Sequence, residues 1–169
     1  MMKRARLLLL VLTLALGFAT AIYAGTSSTT LRVAAIVQSA VDINATLLNF
    51  GTIDPAVSSA ADAFITVTMP AQQPYTITLN GGFSFFDNTR HLNASYPGFG
   101  VISYKLFQPN LTTEWGDSGF GNTYPAGSPL NAVGTGSSQR HRVHGVTQPV
   151  TSGVSPGSFS DSVSVTVNF

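Results

Sequence analysis

The chain has 169 residues, 44% of them hydrophobic and only 9% charged, with eight Lys+Arg, seven Asp+Glu and no cysteine. That hydrophobic content excludes a disordered chain, and the missing cysteines exclude disulfide staples, thiolate catalysis and thiolate metal sites. So few charges imply a surface of Ser, Thr, Asn, Gln and Gly, which puts little repulsion between copies.

The first element reads as a secretory signal peptide. Lys3, Arg4 and Arg6 form a basic start, an apolar run follows from Leu7 to Leu16, and small residues stand at Ala19, Ala21 and Ala24. The run is too short to cross about 30 Å of hydrocarbon, so it is not a membrane span. Cleavage is expected after Ala24, with Ala21 as the alternative. The exported chain, 25–169, keeps five basic residues against seven acidic, a net charge of −2. That balance excludes a basic nucleic-acid surface, and the length fits one domain.

Beyond the signal the recurrent pattern is alternation with a period of two, which marks half-buried strands. After a polar leader, Gly25 to Thr30, residues Leu31, Val33, Ala35 and Val37 share a face with Val41 and Ile43. Arg32, Gln38, Asp42 and Asn44 share the other. Ile65, Val67 and Met69 alternate with threonines, as do Tyr75, Ile77 and Leu79. Ile102, Tyr104 and Leu106 repeat the pattern, and 159–169 reads as one continuous strand with Val163, Val165, Val167 and Phe169 on one face. Between them stand turn signals such as Asp54-Pro55, Asn80-Gly81-Gly82 and Pro156-Gly157. Many short strands with Gly/Pro turns predict an all-β sandwich of immunoglobulin-like size. The Gly/Ser/Pro-rich stretch 116–138 reads as a long, mobile loop. The segment 31–37 fits the first strand of this sandwich or a strand meant for another molecule's sheet edge, and periodicity does not choose.

Chemistry-bearing groups are sparse. The only histidines are His91, His141 and His144. Two histidines three apart on a strand point to opposite faces, so His141 and His144 do not make a chelating pair. Glu114 and Asp117 bracket Trp115-Gly116 in a turn, too close in sequence to flank a sugar as a glycosidase pair. Trp115 reads as a packing anchor. No nucleophile elbow, phosphate loop or zinc-protease motif occurs. No enzyme activity, no cofactor and no metal are expected.

Four motifs in order resemble a known family. They are Thr30-Leu-Arg-Val-Ala-Ala-Ile-Val with Ala45-Thr-Leu-Leu-Asn-Phe-Gly51, and Ile65-Thr-Val-Thr-Met-Pro with Pro74-Tyr-Thr-Ile-Thr-Leu-Asn80. Then come Ser103-Tyr-Lys-Leu-Phe with Thr112-Thr-Glu-Trp-Gly-Asp117, and Pro156-Gly-Ser-Phe-Ser-Asp-Ser-Val-Ser-Val-Thr-Val-Asn-Phe169. Together they resemble the spore coat protein U domain, which includes pilins of archaic chaperone–usher pili. The resemblance implies an incomplete immunoglobulin-like sandwich, 38–169, that lacks its last strand and is completed by a donor strand. Behind the signal peptide, 1–24, it implies an N-terminal extension over 25–37 whose donor residues are Leu31, Val33, Ala35 and Val37. It further implies that Val163, Val165, Val167 and Phe169 form the strand a periplasmic chaperone contacts. Where the family usually has a cysteine pair, this chain has Val41 and Met69.

On that resemblance the expected function is a structural pilus subunit assembled by donor-strand exchange, supporting adhesion or biofilm formation. Expected partners are identical or related pilin subunits, a periplasmic chaperone and an outer-membrane usher, with no nucleic acid. The path leads through the periplasm to the cell surface, and the processed protein does not span a membrane. The alternatives are a secreted or surface-attached sandwich that binds carbohydrate or surfaces, and a spore or cell coat component.

Overall fold

The computed structural model describes residues 29–30, 32–34, 41–95, 100–150 and 153–169. The chain divides into two compact units, Met1–Val37 and Gln38–Phe169, and the fold below is that of the second. Its strands are β1 Asp42–Ala45, β2 Ala60–Thr68, β3 Pro74–Leu79, β4 Phe85–Phe86 and β5 Thr89–Ala94. They continue with β6 Val101–Phe107, β7 Leu130–Val133, β8 Ser138–Thr147, β9 Phe159–Ser160 and β10 Val165–Asn168. No helix among the described residues is long and apolar enough to cross a membrane.

The strands form two sheets. The larger runs β1-β2-β8-β6-β5-β4, with β9 also paired to β5; the smaller runs β10-β3-β7. Every pairing is antiparallel. The inner faces meet in one core of an immunoglobulin-like sandwich. Ile65, Val67 and Met69 supply it from β2 and the residue after it, Tyr75, Ile77 and Leu79 from β3, Tyr104 and Leu106 from β6, and Val143 from β8. These are the alternate positions of each strand, because successive Cβ atoms point to opposite faces.

The stretch 116–138 is not a bare loop: it is fastened by side-chain bonds and contains β7. Trp115 is fully buried, and its indole N–H donates to the Ile77 carbonyl at 3.0 Å. The Asp117 carboxylate accepts from the Thr123 N–H at 2.9 Å, the Thr123 hydroxyl at 2.6 Å and the Tyr124 N–H at 2.6 Å. Burial pushes that carboxyl up, but these donors win and hold it below its ordinary value. Gly116 and Gly127 let two backbone runs touch: a Cβ on Gly116 would lie 2.5 Å from the Gly127 carbonyl oxygen. The chain then enters β7, which pairs with β3. Side-chain caps of this kind have no period, so composition alone reads as loop.

The end of the chain also differs from the expected single strand. Residues 159–160 belong to the larger sheet and 165–168 to the smaller, with 161–164 crossing between them. Val163, Val165 and Val167 do pack on the core, while Phe169, at the end of that row, is 66% exposed.

Arg90 is fully buried on β5. Its guanidinium donates to the Leu79 and Asn80 carbonyls and stacks 3.8 Å over the Tyr124 ring. Burial lowers its pKa, and the carbonyl oxygens and the ring face are what offset the lost hydration of the charge.

Candidate functional site

One side of the sandwich is open. Strand β1 pairs only with β2, and β10 only with β3, so each sheet leaves an edge strand without a further partner among the described residues. Between those edges lies a cavity of about 330 Å³. One rim runs from Ala45 to Phe50 and the other from Asp161 to Val165, over a floor that includes Ile65, Leu79, Leu106 and Val143. A second cavity of about 690 Å³ shares Leu48, Phe50, Leu92 and Asp161 with the first and continues between 47–55 and 154–161.

Register explains why the opening is apolar. Paired residues share a face, so Ile43 opposite Val67 and Ala45 opposite Ile65 both point inward. Val67 is fully buried, yet Ile43 is 40% exposed and Leu47 is 82% exposed. The inner face of β1 and of the run that follows it is therefore half uncovered. Such a strip of exposed core beside an unpaired edge is costly in water and suits added chain.

Among the described residues the C-terminal rim is bonded along one side only. Ser158 accepts from the Ser95 N–H, β9 pairs with β5, Ser162 accepts from the Phe83 N–H at 3.0 Å, and Ser164 accepts from the Asn80 N–H at 3.1 Å. Then β10 pairs with β3. Asp161 anchors the crossing: its carboxylate accepts from the Tyr104 hydroxyl at 2.6 Å and from the Ser84 N–H at 3.0 Å. Burial, and then the bond to Asp161, push the Tyr104 phenol well above its ordinary value, so it stays the donor. Asn80, Arg90 and Asp161 were not singled out from the sequence for function, and Asn80 and Asp161 stand there only within the motifs. Their signal was faint: Asn80 heads a turn triplet, and Asp161 is the one acid in an alternating apolar strand.

Of the expected donor residues, Leu31, Ala35 and Val37 lie outside the described residues. Val33 is described and is 85% exposed. Of the expected chaperone-contact row, Val163 and Val165 line the cavity, whereas Phe169 lines a separate shallow hollow with Phe120 and Val133. Met69 is fully buried and Val41 packs on the same core cluster. Extending the pairing of Asp42 with Thr68 by one residue puts Val41 opposite Met69.

The polar residues considered for chemistry have structural partners. Glu114 binds Lys105 at 2.9 Å and the Tyr124 hydroxyl, and Asp117 is closed off by Thr123 and Tyr124. His144 and His141 take opposite faces of β8. His144 Nδ1 meets Asp62 at 2.7 Å beside Arg142, and His141 Nε2 meets the Tyr75 hydroxyl at 2.8 Å. Hydrogen bonds from Arg142 and then His144 hold the Asp62 carboxyl below its usual value. No group of three or more metal-ligating side chains occurs among the described residues.

A pH dependence follows from His141, whose imidazole burial holds below the ordinary 6.5. The unfolded chain then binds the proton more readily than the folded one. Its contribution to stability is full above about pH 6.5 and falls as the pH drops below that value, until the folded group also protonates. Lowering the pH from about 7 to 5 is expected to lower the Tm. His141→Gln should flatten that slope, while the loss through Asp62 appears only below its ordinary 3.8. Thermal melts of both proteins at three pH values check this, and an unchanged slope in His141→Gln would refute it.

A family model described as the Spore Coat Protein U domain matches residues 27–166. No curated protein matches the chain. Among solved structures it is similar to a chain in the crystal structure of the CsuC–CsuE chaperone–tip adhesion subunit pre-assembly complex, from archaic chaperone–usher Csu pili of Acinetobacter baumannii. The two are 22% identical with a TM-score of 0.55, and the match covers 79% of this chain and 40% of that one. This chain thus spans less than half of that protein's length, and the likeness is one of fold.

Proposed function

The chain belongs to the Spore Coat Protein U domain family, and from that premise we propose that it is a structural subunit of a chaperone–usher surface pilus, assembled by donor-strand exchange. The observation that carries this reading is the open groove, where an unpaired edge over 158–168 faces the half-exposed inner side of β1. An extended segment laid there gains main-chain hydrogen bonds from the edge and buries alternate side chains in the cavity. Residues 1–24 act as the signal peptide, 25–37 as the extension that supplies Leu31, Val33, Ala35 and Val37 to a neighbouring subunit, and 38–169 as the receiving sandwich. Before assembly a periplasmic chaperone covers the same opening at Val163 and Val165 and extends past it along Val167 and Phe169, and an outer-membrane usher then exchanges it for the next subunit. The fibre supports adhesion or biofilm formation.

Electron microscopy of cells with and without the gene tests this. Thin surface fibres present only with the gene are the expected result. A continuous coat that disappears on deletion, with no fibres in either strain, would overturn it.

A further inference from the structure

The pairing of β10 with β3 stops one residue pair short of where the backbone would allow it to continue. Val165 is opposite Leu79, so the next pair is Ser164 with Asn80. In a regular antiparallel ladder those two residues exchange both bonds through their main chains. One is made: the Asn80 N–H donates to the Ser164 carbonyl at 3.1 Å. The other is not, because the Asn80 carbonyl is occupied by Arg90, whose Nε lies 2.9 Å and Nη2 2.7 Å away. The Ser164 N–H turns instead to the Asn80 side chain and donates to Oδ1 at 2.8 Å, and the Gly82 N–H donates to the same oxygen at 3.0 Å.

From this substitution of a side chain for a carbonyl we infer that Asn80 is the positioning residue of the capture groove. This rests on the strand-capture reading proposed above and assigns a role that the groove lining does not reveal, since Asn80 is not part of that lining. Its amide oxygen sets the point at which the C-terminal rim leaves the smaller sheet for the larger. That point determines which amides and carbonyls of 161–165 face an incoming strand, and hence the register of pairing. Gly82 completes the device. It holds φ of +86°, and a Cβ there would lie 2.2 Å from the Asp161 carboxylate that fastens the same rim. Arg90 acts from inside the sandwich by withdrawing the carbonyl.

The test uses the exported chain, 25–169, and a labelled synthetic peptide of residues 29–40 as the probe strand. Asn80→Ala removes the acceptor and is expected to raise the peptide Kd at least tenfold. Asn80→Asp keeps an acceptor for both N–H groups and should bind within threefold of wild type. Tyr75→Phe, which loses the bonds to His141 and Gln139 away from the rim, supplies the control: it lowers the Tm but leaves the Kd within threefold. Hydrogen exchange should quicken over 161–164 in Asn80→Ala and stay slow in Asn80→Asp. If Asn80→Ala does not fold, Gly82→Ala takes its place and is expected to show the same loss of binding. Folded Asn80→Ala or Gly82→Ala protein binding like wild type would overturn the role of Asn80. Failure of the wild-type chain itself to bind the peptide would instead overturn strand capture.

Discussion

Val33→Asp is expected to abolish fibre formation while leaving the subunit folded. Val33 is 85% exposed, so within its own chain the substitution removes almost no packing. The cost arises on capture. In the proposed assembly Leu31, Val33, Ala35 and Val37 enter a groove whose lining includes Leu48, Phe50, Leu92, Val163 and Val165. Three larger apolar side chains at roughly 1.5–3 kcal/mol each contribute on the order of 5–9 kcal/mol before ordering costs. A carboxylate in that row loses its hydration, and the one charged residue lining the cavity is Asp161, of the same sign. The asymmetry between faces gives the control: Arg32→Ser, on the opposite side of the donor segment, should assemble nearly as wild type. Sedimentation and electron microscopy of purified subunits read both variants. Fibres of Val33→Asp equal to wild type would make 31–37 an ordinary exposed segment.

Replacing Val41 and Met69 together by cysteine is expected to form a disulfide on oxidation and to raise the Tm. The continued register of β1 and β2 puts the two residues opposite each other, where neighbouring antiparallel strands hold Cα atoms about 4.5–5.5 Å apart. That separation lies inside the range of about 4.4–6.8 Å that bridged cysteines need. Closing the loop between them constrains the unfolded chain by about 3–4 kcal/mol. Against this, shortening Met69 removes two heavy atoms from a fully buried site packed on Gly134, a loss of about 1.5–2 kcal/mol. The net gain of about 1–2.5 kcal/mol corresponds to several degrees in Tm. Free thiols in the oxidised, folded protein, counted by mass after alkylation, would show that Val41 and Met69 do not stand in for a family cysteine pair.

The strands that carry the core were legible because their signal is local. Ile65, Val67 and Met69, or Tyr75, Ile77 and Leu79, alternate within a few residues, and burial follows that alternation in the fold. The same rule misled at both ends of its range. It joined 159–169 into one strand, since apolar alternation survives a change of sheet, and it found nothing in 116–138, where Asp117 and Tyr124 are buried by caps that have no period. The four motifs identified the family, although none of them contains Arg90, which binds the Leu79 and Asn80 carbonyls from inside the sandwich.

The sequence by itself determined a cysteine-free, all-β chain of low charge, and which alternate residues of its main strands turn inward. These properties depend on composition and on side chains two residues apart, which a pleated backbone must place on one face. Only the tertiary structure decided where, among the described residues, the sandwich stays open, and that Arg90, Asn80, Gly82, Tyr104 and Asp161 meet at that rim. Asn80 and Ser164 are 84 residues apart, and their bond exists because Arg90, ten residues from Asn80, claims a carbonyl first. Hydrogen bonds between separate strands leave no spacing in the chain, so geometry in three dimensions had to choose them.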